Sequence, residues 1–368
     1  MEITAAVVEG AGADFSLERL ELDEPRPEEV LVRIEAAGVC HTDVLCRDHG
    51  VGSVFPAVLG HEGAGIVVRV GSAVKAVQPG DRVVLTFRSC GVCGQCTSGN
   101  PAYCDTMPYL NYAGRRLDGT SAISRDHAPV GSNFFGQSSF ATYALTYETN
   151  LVKVPDDIPL SVAAPLGCGI QTGAGAVMRS LDCNAGSSIV IIGGGTVGLS
   201  ATLAAKVRDC ACIIVVEPME SRRALALEMG ATHVIDPIGA DVAAAVRAIL
   251  PIGVDFVVDT TGRADILATA ITYLRSRGAL GLVGVPAQPD AQLSLTIGSF
   301  LTSGHRVIGI IEGDSKPDVF IPELLQLYRE GRFPFDKLIT TYPFEKINDA
   351  IKAQHQGHCI KPVLVMEP

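Results

Sequence analysis

The stretch Ser187–Ala201, SSIVIIGGGTVGLSA, decides the fold. It opens on an Ile and Val run of strand length and then changes to the apolar spacing of a helix, with Gly193, Gly195 and Gly198 at the change. A strand, a glycine turn and a helix in this order begin a dinucleotide-binding unit. The first glycine permits the tight turn, the second the close approach of a pyrophosphate, and the third the packing of helix on strand. A lone G-x-G-x-x-G is a weak sign, but the context here matches it. The next apolar run, CIIVVE, ends in Glu217, about 20 residues beyond the glycines, where a carboxylate is expected. A carboxylate at that tip accepts from the ribose hydroxyls of NAD and repels the 2'-phosphate of NADP, so NAD is the expected coenzyme. Arg222 and Arg223 follow in the next helix; one covers the adenosine ribose, or both belong to a solvated helix face.

Outward from this stretch, from about residue 170, apolar strands alternate with Ala-rich segments of helix length: TVGLSATLAAKV, CIIVVE, ESRRALALEMG, THVID, ADVAAAVRAIL and VDFVVD. That alternation predicts a parallel sheet with helices on both faces. The first third reads differently. TAAVVE, VLVRIEAAG, EGAGIVVRV and DRVVLTF are short strands closely punctuated by Gly and Pro, which predicts an antiparallel, barrel-like β domain. After about Ile311, a last helix and the ending CIKPVLVMEP read as a return to that first domain.

Composition bounds the function. In 368 residues, 29 Lys and Arg face 40 Asp and Glu, a net charge of -11, so there is no basic footprint for nucleic acid or an anionic membrane. With 47% hydrophobic and 19% charged residues, the chain can bury sizeable cores. The uncharged segment between Asp182 and Lys206 contains the glycine turn, and reads as a buried strand and helix rather than a membrane span. Met1–Glu9 lacks the basic and apolar regions of an export signal, so a cytoplasmic location is expected. In that reducing compartment the 11 cysteines imply metal ligands, catalysis or small buried residues rather than disulfides.

Cys90, Cys93, Cys96 and Cys104 form C-x2-C-x2-C-x7-C within a Gly-rich loop. Four thiolates on a tight loop match a closed tetrahedral zinc site; an iron–sulfur ligand set is the alternative. GVCHTD, GHEGAG and PLGCGIQTGAGA each offer one further ligand: Cys40, His61 and Cys168. Together they make a Cys2His set, which leaves a fourth zinc position open, yet no spacing rule joins positions so far apart. Asp43 is suited to orienting the His61 imidazole, and Glu62 stands beside that ligand.

These motifs, in this order, resemble the zinc-dependent medium-chain alcohol dehydrogenases over essentially the whole chain. GVCHTD, NPAYC (Asn100–Cys104), FFGQSSFATYAL (Phe134–Leu145), PLGCGIQTGAGA and FIPELLQLYREGRFPFDKLI (Phe320–Ile339) are most similar to the bacterial benzyl (aryl) alcohol dehydrogenases. The resemblance implies an α/β architecture. A GroES-like β-barrel catalytic domain, residues 1–169 and 312–368, would carry two zinc sites. A Rossmann NAD-binding domain would span 170–311, with the active site in the cleft between them. It makes Cys40, His61 and Cys168 the catalytic zinc ligands with Glu62 behind the metal, and Thr42 the hydroxyl that takes the alcohol proton. It puts His41 and Lys361 against the pyrophosphate, Thr172 on the nicotinamide side, and the Val285 backbone on the carboxamide.

The implied reaction is reversible oxidation of a primary aromatic or allylic alcohol to the aldehyde, through a zinc alkoxide and hydride transfer to nicotinamide. Many family members have a His three residues beyond the relay hydroxyl; here that position is Leu45, leaving His41, His49 or water to carry the proton out. Phe134 and Phe135 are expected to line an apolar substrate channel, with Phe87, Tyr109 and Leu110 as further candidates. Competing readings are a zinc dehydrogenase for aliphatic alcohols or hydroxymethylglutathione, and a non-catalytic NAD-binding homologue. The resemblance further implies a homodimer or homotetramer joined through the edge strand near Val307.

Overall fold

The computed structural model describes residues 1–50, 54–288 and 290–367. The chain divides into two compact units, Met1–Cys168 with Lys316–Leu325 and Asp336–Pro368, and Gly169–Ser315 with Gln326–Phe335. Residues 169, 312–315 and 326–335 thus fall in the second unit, whereas the sequence reading assigns 1–169 and 312–368 to the first. The reason for 312–315 is close backbone packing. A Cβ on Gly175 would lie 2.2 Å from the Gly313 carbonyl oxygen, and Ser315 Oγ donates to Gln171 Oε1 at 2.8 Å. The helix Pro317–Arg329 begins in one unit and ends in the other.

The first unit is built on curled, mainly antiparallel sheets. One runs in the order Ala57–Val58, Glu2–Val8, Ser16–Leu22, Ile123–Arg125, Ala128–Val130. The other is organised around the long strand Glu29–Gly38, which pairs with Gly63–Val70, with Tyr143–Tyr147 and with Lys361–Val365. Val30, Leu31, Val32 and Ile34 are all buried along it, at about 1.5–3 kcal/mol of transfer free energy for each side chain.

Three pairings of this sheet assemble a site from distant sequence. Ala37 pairs with Gly63, so the residues after the first strand and before the second become neighbours, which brings Cys40 to His61. Val363 pairs with Gly38, which brings Lys361 to the same corner. Ala64 pairs with Val84 of the strand Arg82–Leu85, and Thr86, just beyond it, donates from Oγ1 to the Gly167 carbonyl at 2.7 Å, which brings in Cys168. A Cβ on Gly167 would lie 2.1 Å from the Leu85 carbonyl oxygen, so only glycine allows this approach.

The second unit is a six-stranded parallel sheet ordered His233–Ile235, Cys212–Val216, Ser188–Ile192, Val254–Asp259, Leu274–Leu282, Arg306–Gly309. The strand that opens it in sequence, Ser188–Ile192, sits inside the sheet and is buried at every position. The chain first builds outward on one side of that strand and then on the other, which creates a crevice at the carboxyl ends where the direction reverses. The glycine turn lies at that end of Ser188–Ile192. Among the described residues no single helix is long and apolar enough to cross a membrane. The bent pair 160–167 and 169–180 passes such a test together, and it consists almost wholly of buried residues.

Candidate active site

Ligand atoms of Cys40, His61, Glu62 and Cys168 lie within 4.8 Å of one another. Cys40 caps the helix His41–His49 with extended backbone (φ -112, ψ 155), and Asp43 in its first turn organises what surrounds it. Asp43 Oδ2 accepts from the Cys40 backbone N–H at 3.0 Å, and Oδ1 accepts from the Gly60 N–H at 3.1 Å. The same Oδ1 lies 2.8 Å from His61 Nδ1, and both side chains are fully buried. The carboxylate therefore holds the imidazole proton on Nδ1 and leaves the lone pair on Nε2. That Nε2 is buried and has no hydrogen-bond partner among the described residues.

A buried, unpartnered nitrogen lone pair would be costly by itself. Beside two thiols and a carboxylate it is the donor set of zinc, borderline-soft and without directional demands of its own. A hydrogen bond with the Cys168 thiol, aided by the nearby Lys361 charge, holds the Cys40 thiol well below its ordinary range despite burial. Metal binding needs the thiolate, so this environment favours ligation.

Lys361 joins this corner as the ion-pair partner of Glu62. Its ammonium donates to Glu62 Oε1 at 2.9 Å, to Glu62 Oε2 at 2.8 Å and to the Val39 carbonyl at 2.9 Å, which uses all three of its protons. It is 1% exposed and Glu62 is fully buried, so the ammonium offsets the charge of an enclosed carboxylate. Burial pushes the Glu62 carboxyl up, and the Lys361 charge opposes that. A Cβ on Gly38 would lie 2.0 Å from Glu62 Oε2, so glycine is required at the end of the central strand.

Phe134 and Phe135 are both 2% exposed and pack against the His61 ring. The Phe135 ring stacks on the His61 imidazole, with centroids 4.4 Å apart and planes at 26°, and Phe134 meets it edge-on at 5.7 Å. Tyr112 closes the cluster against both rings. Of the other channel candidates, Phe87 and Leu110 are buried and Tyr109 is exposed. His41 is exposed, Thr42 and Leu45 are half-buried, and His49 ends their helix.

The second cysteine group is compact. Cys90 Sγ lies 3.9 Å from Cys96 Sγ, and Cys93 Sγ 4.0 Å from Cys104 Sγ. Sulfurs about 2.3 Å from one tetrahedral ion are ~3.8 Å apart, so the quartet fits zinc. The Cys90 sulfur accepts from the backbone N–H groups of Val92 and Cys93, which, with the former contributing most, lowers its thiol pKa. Gly91 has φ +72 and makes the turn that points these N–H groups inward.

In the second unit, Gly193 has φ +102, and a Cβ on Gly198 would lie 1.8 Å from the Gly193 carbonyl oxygen. Gly195 is the N-cap of the helix Thr196–Val207, and a Cβ there would meet nothing within 4 Å among the described residues. The turn thus leaves open space in front of a helix N-terminus, the arrangement that receives a pyrophosphate. Glu217 follows the second strand and is 3% exposed. Its Oε2 accepts from the Gly194 N–H at 2.6 Å and its Oε1 from the Met219 N–H at 2.9 Å. Arg223 donates to the Glu217 and Pro218 carbonyls and pairs with Asp236, so of the two arginines this one anchors the tip; Arg222 is half-buried beside it. Thr172 Oγ1 lies 3.5 Å from Glu312 Oε2, and Val285 is exposed with its backbone against Gly262.

Sequence reasoning missed the partnership of Lys361 with Glu62 and a role for Gln137. Only the position of Gln137 within FFGQSSF pointed to it.

Two family models match the chain: an alcohol dehydrogenase GroES-like domain over residues 26–156 and a zinc-binding dehydrogenase over residues 196–330. The chain is 48% identical to the geraniol dehydrogenase of Castellaniella defragrans, over 98% of this chain and 97% of that one. A crystal structure of an alcohol dehydrogenase zinc-binding domain protein from Burkholderia ambifaria superimposes with TM-score 0.97 at 47% identity, covering all of both chains. The benzyl alcohol dehydrogenase of Acinetobacter calcoaceticus superimposes with TM-score 0.96 at 44% identity, again covering all of both.

Proposed function

The chain belongs to the zinc-dependent medium-chain alcohol dehydrogenases, and on that premise we propose that it catalyses the reversible, NAD-dependent oxidation of a primary aromatic or allylic alcohol to its aldehyde. The observation that carries this reading is the buried, unpartnered Nε2 of His61 among the thiols of Cys40 and Cys168. Those three residues would hold a zinc ion with one position free for substrate, and the four-cysteine loop would hold a second, structural one. When bound, the zinc supplies a Lewis acid that acidifies the alcohol, and the nicotinamide supplies a hydride acceptor.

The residues of the chain do the rest. Asp43 keeps the His61 proton on Nδ1, so Nε2 stays a ligand throughout turnover. Thr42 Oγ1 receives the alcohol proton at the start of the helix that His41 opens and His49 closes. Leu45 lies one helical turn beyond Thr42 and cannot accept it, so the proton leaves through water or one of these histidines. The glycine turn receives the pyrophosphate on the N-terminus of Thr196–Val207, and Glu217 selects the unphosphorylated ribose. The substrate class rests on similarity to the geraniol and benzyl alcohol dehydrogenases.

The enzyme acts as a homodimer or homotetramer. The strand Arg306–Gly309 ends its sheet with no strand on its outer side among the described residues, and Ile297 and Leu301 are 83% and 77% exposed. Sedimentation with and without Leu301→Lys tests this.

The deciding experiment measures rates on benzyl alcohol, geraniol, ethanol and hydroxymethylglutathione with NAD and with NADP, before and after chelation. The reading requires benzyl alcohol or geraniol with NAD to be preferred, and activity to be lost with about one zinc equivalent while a second stays bound. Preference for ethanol or the glutathione adduct, or turnover that survives complete zinc removal, would refute it.

A further inference from the structure

We propose that the turn Asn133–Ser138 is a rigid back wall for the zinc-ligating histidine, with Phe135 and Gln137 as positioning residues that fix the direction of His61 Nε2. Asn133, Phe135, Gly136 and Ser138 all adopt positive φ, at 62°, 52°, 64° and 54°. Three of the four are not glycine, and such conformations persist only where surrounding structure over-determines them, typically at functional sites. Here that structure is visible. Asn150 Nδ2 reaches the Phe135 and Gly136 carbonyls at 3.4 Å each, and Ser138 Oγ accepts from the Phe134 N–H and donates to the Val58 carbonyl.

The strain delivers two groups to His61. Phe135 lies flat against the imidazole at 4.4 Å, while Asp43 holds Nδ1 in the ring plane at 2.8 Å. One contact sets the plane of the ring and the other its rotation within that plane. Gln137, 2% exposed, sets the backbone: Nε2 donates to the His61 carbonyl at 2.9 Å and the Thr86 carbonyl at 3.2 Å, and Oε1 accepts from the Gly63 N–H at 3.1 Å. One amide thus clamps the chain on both sides of Glu62 and ties it to the strand that brings in Gly167 and Cys168. An imidazole bound to a cation is electron-poor, and the π face of Phe135 stabilises it in that state.

This inference rests on the zinc reading of Cys40, His61 and Cys168. The test uses full-length protein carrying Phe135→Leu, which keeps an apolar residue in the same backbone conformation but removes the π face. The second variant, Gln137→Glu, keeps the shape but removes both N–H donors. Zinc release to a chelator and the visible spectrum of the cobalt-substituted enzyme are recorded for both. Removing support behind a metal ligand costs about 10- to 100-fold in metal affinity. The open-site metal should therefore leave the variants at least about tenfold faster, with shifted cobalt bands for that site, while the four-cysteine metal is retained. Either variant, folded, with wild-type release and wild-type cobalt bands overturns its residue's role. A wild-type protein that binds metal only at the four cysteines overturns the zinc reading and this inference together.

Discussion

Lys361 and Glu62 form a buried ion pair with Nζ 2.9 and 2.8 Å from the two carboxylate oxygens, the carboxylate lying within 4.8 Å of the Cys40, His61 and Cys168 ligand atoms. The pair lets a carboxylate stand near metal ligands without an uncompensated charge in the interior. Breaking such a pair from one side costs about 3–5 kcal/mol, because the partner is left buried and unpaired. Lys361→Met should lose stability of that order in denaturant unfolding of the zinc-loaded protein. Adding Glu62→Gln should recover much of it, and a double variant no more stable than Lys361→Met would contradict the coupling.

Asp43 is the one acceptor on His61 Nδ1 among the described residues, and it also holds the Cys40 and Gly60 backbone. Asp43→Asn puts an amide where only acceptors are wanted. Affinity for the open-site metal should fall about 10- to 100-fold in chelator titrations, while the Cys90, Cys93, Cys96 and Cys104 metal stays in place.

The glycines of the dinucleotide turn should separate on mutation. Gly198→Ala drives a methyl into the Gly193 carbonyl, 1.8 Å from its ideal position, so both stability and NAD binding should suffer. Gly195 has φ -83 and open space around it, so Gly195→Ala should melt close to wild type but bind NAD several-fold more weakly. Calorimetric melting and titration with NAD distinguish the two; equal loss of stability in both variants would count against a phosphate-receiving role for Gly195.

Leu45 occupies the turn of helix after Thr42, so the proposed proton path has no side-chain base there. Leu45→His should change the pH dependence of turnover by adding a group that titrates near neutrality, without abolishing activity. A pH profile that superimposes on wild type, or a folded, zinc-loaded variant inactive at every pH, would be inconsistent with a relay through Thr42.

The two kinds of sheet and two of the chemical signals were legible in the sequence because their geometry is local. The glycines at 193, 195 and 198 act across one turn, and four cysteines within fifteen residues can reach one ion whatever the rest of the chain does. Cys40, His61 and Cys168 were legible only through family resemblance. Nothing in their spacing says that Ala37 pairs with Gly63, or that the glycine at 167 admits the Leu85 carbonyl, and those long-range contacts make them a set. The same limit hid the partners of Lys361 and Phe135. Each carries an obvious chemistry, a cation and an aromatic ring, but only the fold shows that the ammonium pairs with the buried Glu62 and that the ring stacks on His61. The sequence by itself determined which chemistries this protein commands, through residue type and short spacing; only the tertiary structure decided which partner each side chain serves, because that depends on which strand ends meet and what is shut away from water.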